Sequence, residues 1–276
     1  MIDFDILGVV DGPWLKSWTS DDALRYAVGV GADELAFATE NSFGVSQQAL
    51  PTMALALTHF TSPEQVFGDV DLTRVLHAEQ SLTLHRPFPV AGSIEVRRQV
   101  TDIFDKGAGA LIVSRVDAVD DSGPLFSAVS SAFLLGEGGF GGSRGPSSRT
   151  SVPDRSPDRR LEFGTASNQA LIYRLSGDRN PLHSDPVFAA RGGLKQPILH
   201  GLCTFGITCR LLIGAFADGD AHRVTAMSGR FTAPVVPGDV LVVDAWHDGD
   251  HVAFRTSTAA GTVVIDGGRL SLSLPG

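Results

Sequence analysis

Lysine is nearly missing from this chain: of 22 cationic residues only Lys16, Lys106 and Lys195 are lysines, and the rest are arginines. Positive charge is scarce overall, with 22 Lys+Arg against 31 Asp+Glu for a net charge of −9. Such a field repels phosphate, which disfavours a nucleic-acid binder or a polybasic membrane protein. Cysteine is limited to Cys203 and Cys209, without CxxC or His/Cys spacing, so a disulfide framework and a zinc-ribbon site are both excluded. Long apolar runs are lacking too. The best candidate, Pro197 to Phe216, contains His200 and Arg210, which argues against a membrane span. No basic segment leads into an apolar stretch at MIDFDILGVVDG, so no signal peptide is read there, and SLSLPG carries no address signal. These absences together predict a reduced, soluble, cytoplasmic protein.

What is present is core material. The 276 residues are 43% hydrophobic, enough for one large domain or two of about 130 residues. Composition breaks once, at residues 136–158, where GEGGFGGSRGPSSRTSVPDRSPD offers almost nothing to pack and reads as a linker. It separates a first unit, 1–135, from a second, 159–276. The two units share anchors at near-constant offset: Ala23-Leu24-Arg25-Tyr26 with Ala170-Leu171-Ile172-Tyr173, Pro51 with Pro197, and Gly92 with Gly238. This spacing predicts a duplication.

Each unit reads as a short helix carrying the Ala-Leu-x-Tyr motif, an irregular stretch, an apolar helix opening near the proline, and four strands. In the second unit the strands are predicted near 222–235, 240–247, 252–259 and 262–274; in the first, near 77–85, 94–104, 110–119 and 125–135. The second apolar helix is hydrophobic nearly all round, through Ile198, Leu199, Leu202, Phe205, Ile207, Leu211, Leu212 and Ile213, so it must be buried. Gly201, Gly206 and Gly214 would let a sheet come close. A helix wrapped by an antiparallel meander, twice over, gives an α+β fold whose two sheets can hide their edges against each other.

The chemistry concentrates in Tyr173-Arg174-Leu175-Ser176-Gly177-Asp178-Arg179-Asn180-Pro181-Leu182-His183. Pro181 keeps Asn180 out of the helical region, so the segment is a loop on which Asp178 and His183 can converge. The same string also serves as a plain hydrogen-bonded turn. Two features favour a site. The first unit reads Val28-Gly29-Val30-Gly31-Ala32-Asp33 at this place, with no Asn-Pro or His, whereas a merely stabilising turn would be expected in both copies. A buried helix start also follows at Pro197-Ile198-Leu199-His200-Gly201, where free amides can hold an oxyanion.

Residues 173–189, YRLSGDRNPLHSDPVFA, together with QPILHGLCTFG and GRFTAPVVPGD, resemble the signature of the hydratase 2 family, the MaoC-like (R)-specific enoyl-CoA hydratases. The resemblance covers the second unit well and the first only through the duplicated layout, as in double hot-dog members. It implies a double hot-dog fold and hydration of a trans-2-enoyl thioester to the (R)-3-hydroxyacyl thioester. By position, Asp178 and His183 are the implied pair sharing one water, His183 taking a proton as water attacks C3 and Asp178 returning one at C2. Asn180 is the implied supporting residue. Gly201 falls at the implied backbone donor to the thioester oxygen, a contact worth roughly 3 kcal/mol in the transition state. No metal or redox cofactor is implied; coenzyme A enters as part of the substrate. His200 and Arg230 are candidate substrate-binding residues, with Arg223, Arg210, Arg191 and Lys195 as further cations for the coenzyme A phosphates.

The first unit, lacking the loop, is expected to shape an acyl-chain pocket, and the chain to form a homodimer. Three other readings share the fold. One is a 3-hydroxyacyl-thioester dehydratase acting on acyl-carrier protein; another is a non-catalytic acyl-CoA-binding subunit of a heteromeric hydratase. A thioesterase fits the loop less well.

Overall fold

The computed structural model describes residues 1–59, 67–146 and 151–274. The first half runs β1 (Val10–Trp18), α1 (Ser20–Gly29), α2 (Leu35–Ala38), α3 (Met53–His59), β2 (Val75–Leu84), β3 (Gly92–Asp105), β4 (Gly109–Asp120) and β5 (Gly123–Leu135). The second half runs β6 (Arg159–Gly164), α4 (Gln169–Tyr173), α5 (Pro186–Arg191), α6 (Gly201–Phe216), β7 (Val224–Phe231), β8 (Val240–Asp248), β9 (His251–Thr258) and β10 (Val263–Leu272). All ten strands form one antiparallel sheet in the order β1-β3-β4-β5-β2-β7-β10-β9-β8-β6. Read from either end, each half lays its strands in the same sequence. The two meet where β2 pairs β7, from Glu79↔Arg230 to Thr83↔Ala226, so each half hides an edge on the other.

Local sequence explains the helices that matter. Thr19 and Asp22 close a capping box that starts α1, and Ala23, Tyr26 and Ala27 form its buried face. Eleven of the sixteen α6 residues are buried, as an all-round apolar helix requires. The expected first-half counterpart, opening at Pro51, is α3; Phe60, at its expected end, lies outside the described residues.

Three details differ from expectation. β1 and β6 fall outside the expected strands: β1 buries only Trp18 of its nine residues and contains Pro13, as outermost strands tolerate, and β6 offers only the short alternation Leu161-Glu162-Phe163. The expected linker is docked at both described ends. The buried Asp105 carboxylate accepts from the amides of Gly107, Gly139 and Gly141, and Phe140 sets its ring against Phe4 at 5.0 Å. Beyond residues 147–150, which lie outside the described residues, Trp246 donates to the Arg155 carbonyl and the His247 amide donates to Asp158. Backbone amides thus do the packing that side chains here cannot.

The third difference concerns the α6 glycines. A Cβ on Gly206 would lie 2.7 Å from both the Tyr26 hydroxyl and a Val30 methyl, so this glycine admits α1 of the first half rather than the sheet. Gly214 has nothing within 4 Å. Around Gly206 the halves are tied by Gln169 donating to the Gly29 carbonyl, and by buried Arg210, which reaches the Val30 carbonyl and Glu34. Gly206→Ala is therefore expected to destabilise the fold by about 1–3 kcal/mol. Gly214→Ala, which gains helix propensity at no steric cost, should be neutral or up to about 1 kcal/mol stabilising. Denaturant melts of the two variants check this; equal effects would contradict the packing.

Candidate active site

After α4 the chain makes one 3-10 turn, Arg174–Ser176, and reverses at Gly177, whose φ of +134° lies where side-chain-bearing residues rarely go. That reversal turns Asp178 inward, where it is only 4% exposed. Its Oδ1 accepts the Asn180 amide at 2.9 Å, and Asn180 Oδ1 in turn accepts the Leu182 amide at 3.0 Å. With Pro181 at the first position, this caps the 3-10 turn Pro181–His183. Asp185 then caps α5, which also opens on a proline. Asn180 is itself exposed and acts on the loop through these two bonds.

His183 is fixed by the Ile198 carbonyl, 2.9 Å from its Nδ1. A carbonyl only accepts, so Nδ1 carries the hydrogen and Nε2 presents its lone pair. That Nε2 lies 3.8 Å from Asp178 Oδ2. His200, at the start of α6, places its Nε2 3.6 Å from the same oxygen and stacks its ring on His183 at 3.7 Å. These gaps are too long for direct hydrogen bonds. Asp178 Oδ2 and His183 Nε2 are close enough for one water, lying off the line between them at about 2.8 Å from each, to bridge both. The first amide of α6, that of Gly201, meets no acceptor among the described residues.

Burial governs the protonation of the cluster. It pushes the Asp178 carboxyl up to about 6, against the opposing Asn180 amide and Arg174 charge. Burial lowers His183 despite the Ile198 carbonyl, and drives His200 down to about 2, helped by His183. Near neutral pH both imidazoles are uncharged, and the carboxyl titrates between the usual carboxylate range and neutrality. The three donor atoms lie within 4.8 Å of one another.

Of the residues singled out from sequence, Asp178, His183, His200 and Gly201 come together. Arg230 does not join them. Phe231 turns its ring to Gly201, so strand alternation sends Arg230 to the opposite face of β7, where it binds Asp266 at 3.1 Å. Arg210 is buried against Glu34, and Arg223 is spent on Asp218 and the Ser273 carbonyl. Arg191 and Lys195 remain exposed beside the loop and form no ion pair among the described residues. Sequence reasoning missed Arg179, equally exposed on the loop itself, and Tyr173, whose ring packs 4.9 Å from His200. The repeated Ala-Leu-x-Tyr motif was the signal for Tyr173.

A double hot-dog fold carrying an acid–imidazole pair on a Gly-Asp-x-Asn-Pro-x-His loop defines a class, the hot-dog hydro-lyases. Residues 148–268 match the MaoC like domain, and residues 17–136 match the MFE-2 hydratase 2 N-terminal domain. The 3-hydroxyacyl-thioester dehydratase Y of Mycobacterium tuberculosis is 44% identical over 281 residues, covering 97% of each chain. Enoyl-CoA hydratase ChsH3 of the same organism is 42% identical over 262 residues, 90% of each. A crystal structure of a MaoC-like dehydratase from Phytophthora Capsici superposes with a TM-score of 0.90 at 31% identity, over 99% of this chain and 98% of that one. The chain belongs to the MaoC-like hydratase 2 family.

The raised Asp178 pKa has a consequence for stability. The folded state holds this proton up to about pH 6, whereas an unfolded aspartate releases it near 3.8. Its contribution is therefore fully present below pH 3.8 and is lost as pH rises through 6. Asp178→Asn removes that loss, so at pH 7.5 the variant should be more stable than the native chain by up to about 3 kcal/mol. The gain should vanish near pH 4. Urea titrations at both pH values check it; no gain at pH 7.5, or one that persists at pH 4, would contradict a strained carboxyl.

Proposed function

We propose that the chain hydrates trans-2-enoyl-CoA to (R)-3-hydroxyacyl-CoA, reversibly, on the water shared by Asp178 and His183. One observation carries the reading: the carboxyl and the free imidazole nitrogen of one loop lie 3.8 Å apart, within reach of one bridging water, near the α6 amide that meets no acceptor among the described residues. As the water oxygen bonds to C3, its proton passes to Nε2 of His183, which is neutral and therefore a competent base. Electrons displaced from the double bond move through C2 toward the thioester oxygen, where the Gly201 amide meets the developing charge. Asp178, carrying a proton, delivers it to C2. The imidazolium then returns its proton to Asp178, and the pair is restored with one water added across the double bond.

No redox change occurs, and the pair supplies both acid and base, so the reaction draws on no cofactor besides the coenzyme A of the substrate. Arg179, Arg191 and Lys195 are the cations available to its phosphates. The acyl group is assigned to the first half. A small cavity of about 30 Å³ lies there between α3 and the sheet, lined by Leu55, Val116 and Ala128 but also by Gln80, Arg98 and Ser114. Ala56, next to Leu55, offers its carbonyl 3.7 Å from where a Gly177 side chain would begin, so the cavity adjoins the Asp178 loop. The same site run in reverse on a carrier-protein thioester is the second reading, favoured by the relative named as a dehydratase.

No helix among the described residues is long and apolar enough to cross a membrane. We place the protein in the cytoplasm as a homodimer, for which the exposed Val28, Leu171 and Leu175 of the α1 and α4 face offer an apolar contact.

The test follows the ultraviolet absorbance of a conjugated enoyl thioester, using crotonyl-CoA and a trans-2-enoyl-CoA of about ten carbons. The native chain should bleach the chromophore and Asp178→Asn should be slower by at least about 10²-fold, the usual scale of a lost acid–base group. Binding of acyl-CoA without turnover would favour a non-catalytic subunit. Full activity in the variant would place the chemistry elsewhere.

A further inference from the structure

His200 is costly where it stands. It is 1% exposed, and neither ring nitrogen has a hydrogen-bond partner. It occupies the position before α6 where side chains commonly cap a helix, yet it makes no capping bond. An apolar ring would fill the same space without leaving buried polar atoms unpaired. Its neighbours show what the nitrogens are for. One face of the ring lies against Tyr173, and the other stacks on His183. The edge carrying Nε2 faces Asp178 Oδ2. Tyr173 is in turn backed by Tyr26, 6.0 Å away across the join between the halves. Four rings thus run in series from α1 of the first half to His183.

We propose that His200 is a positioning residue: its face fixes the plane of His183, and its Nε2–H is held ready for the Asp178 carboxylate that forms when that group gives its proton to C2. This rests on the hydratase reading of the pair. Each member of the pair then has two tethers. His183 is held at Nδ1 by the Ile198 carbonyl and on its face by His200; Asp178 is held at Oδ1 by the Asn180 amide and at Oδ2 by His200. The shared tether sets the two groups relative to each other as well as to the loop. The 3.6 Å separation closes to about 2.8 Å once Asp178 carries charge, since bonds to a carboxylate are short and strong. Burial keeps His200 neutral far below physiological pH, so one ring nitrogen carries a hydrogen, and that hydrogen is assigned to Nε2, the nitrogen facing Asp178 Oδ2. The other titratable or charged groups facing Asp178 are His183 and Arg174 from the loop and Tyr173 from α4, with Tyr26 and Cys203 behind Tyr173.

The test compares His200→Phe, which keeps a ring face but no donor, with His200→Gln, which keeps a donor but no ring. Both are measured as the pH dependence of crotonyl-CoA hydration, with a thermal melt to establish folding. His200→Phe should lower kcat by about tenfold to a hundredfold, the scale of one charge-assisted bond, with KM within about threefold. Its alkaline limb, where Asp178 loses the proton it must deliver, should move up by about one pH unit, because the carboxylate has lost its donor. His200→Gln should lower kcat yet keep the native limb. A purely structural role would depress kcat in both variants without moving either limb, and that result overturns the proposal. So does a limb that shifts in His200→Gln, or native kcat in His200→Phe. Should His200→Phe not fold, His200→Met, which likewise lacks a donor, takes its place under the same criteria. A native chain that hydrates no enoyl-CoA would instead sink the hydratase reading, and this proposal with it.

Discussion

A carboxyl group pressed out of water against the edges of two stacked, uncharged imidazoles is the constraint around which the rest of this molecule is arranged. Left to solvent, Asp178 would release its proton near 3.8; buried, it holds that proton up to about 6. The same burial keeps His183 and His200 neutral. An acid and a base with ordinary solution values would exchange their proton and stand as an inert ion pair. Desolvation narrows the difference between them, so that acid and base coexist within reach of one bridging water. Local geometry sets their separation: a glycine reversal, an asparagine turn, a carbonyl from residue 198 and the ring of His200.

Keeping such a cluster dry takes more structure than one hot-dog unit supplies. Tyr26 enters from the first half and reaches the site through Tyr173, and Gly206 is the residue that makes room for it. The β2–β7 join makes the two sheets one surface. The proposed reacting groups belong to the second half, while the first lends Tyr26, behind Tyr173, and the cavity beside α3.

The loop was legible because its chemistry is local. Gly177, Asp178, Asn180, Pro181 and His183 are neighbours in sequence, and each constrains the next through bonds that span two or three residues. The helix-in-sheet units were legible from the apolar run of α6 and from alternation in the central strands. What escaped detection depends on partners distant in sequence. β1 and β6 are strands only because β3 and β8 lie beside them. Docking of the glycine-rich segment relies on Asp105, some thirty residues upstream. The face on which Arg230 emerges is set by strand register, which spacing alone does not reveal. His200 was visible as a candidate for substrate binding, but the rings on both its faces come from other parts of the chain.

The central claim is that one water, held by Asp178 and His183, adds across one face of the double bond. Hydration of a trans-2-enoyl thioester in D2O, with NMR analysis of the product, tests it most directly. The expected product carries a single deuterium at C2, on the same face as the hydroxyl, with (R) configuration at C3. Deuterium on the opposite face, scrambling at C2, or an (S) alcohol would contradict a shared water and return the Asp178 loop to the status of a structural turn.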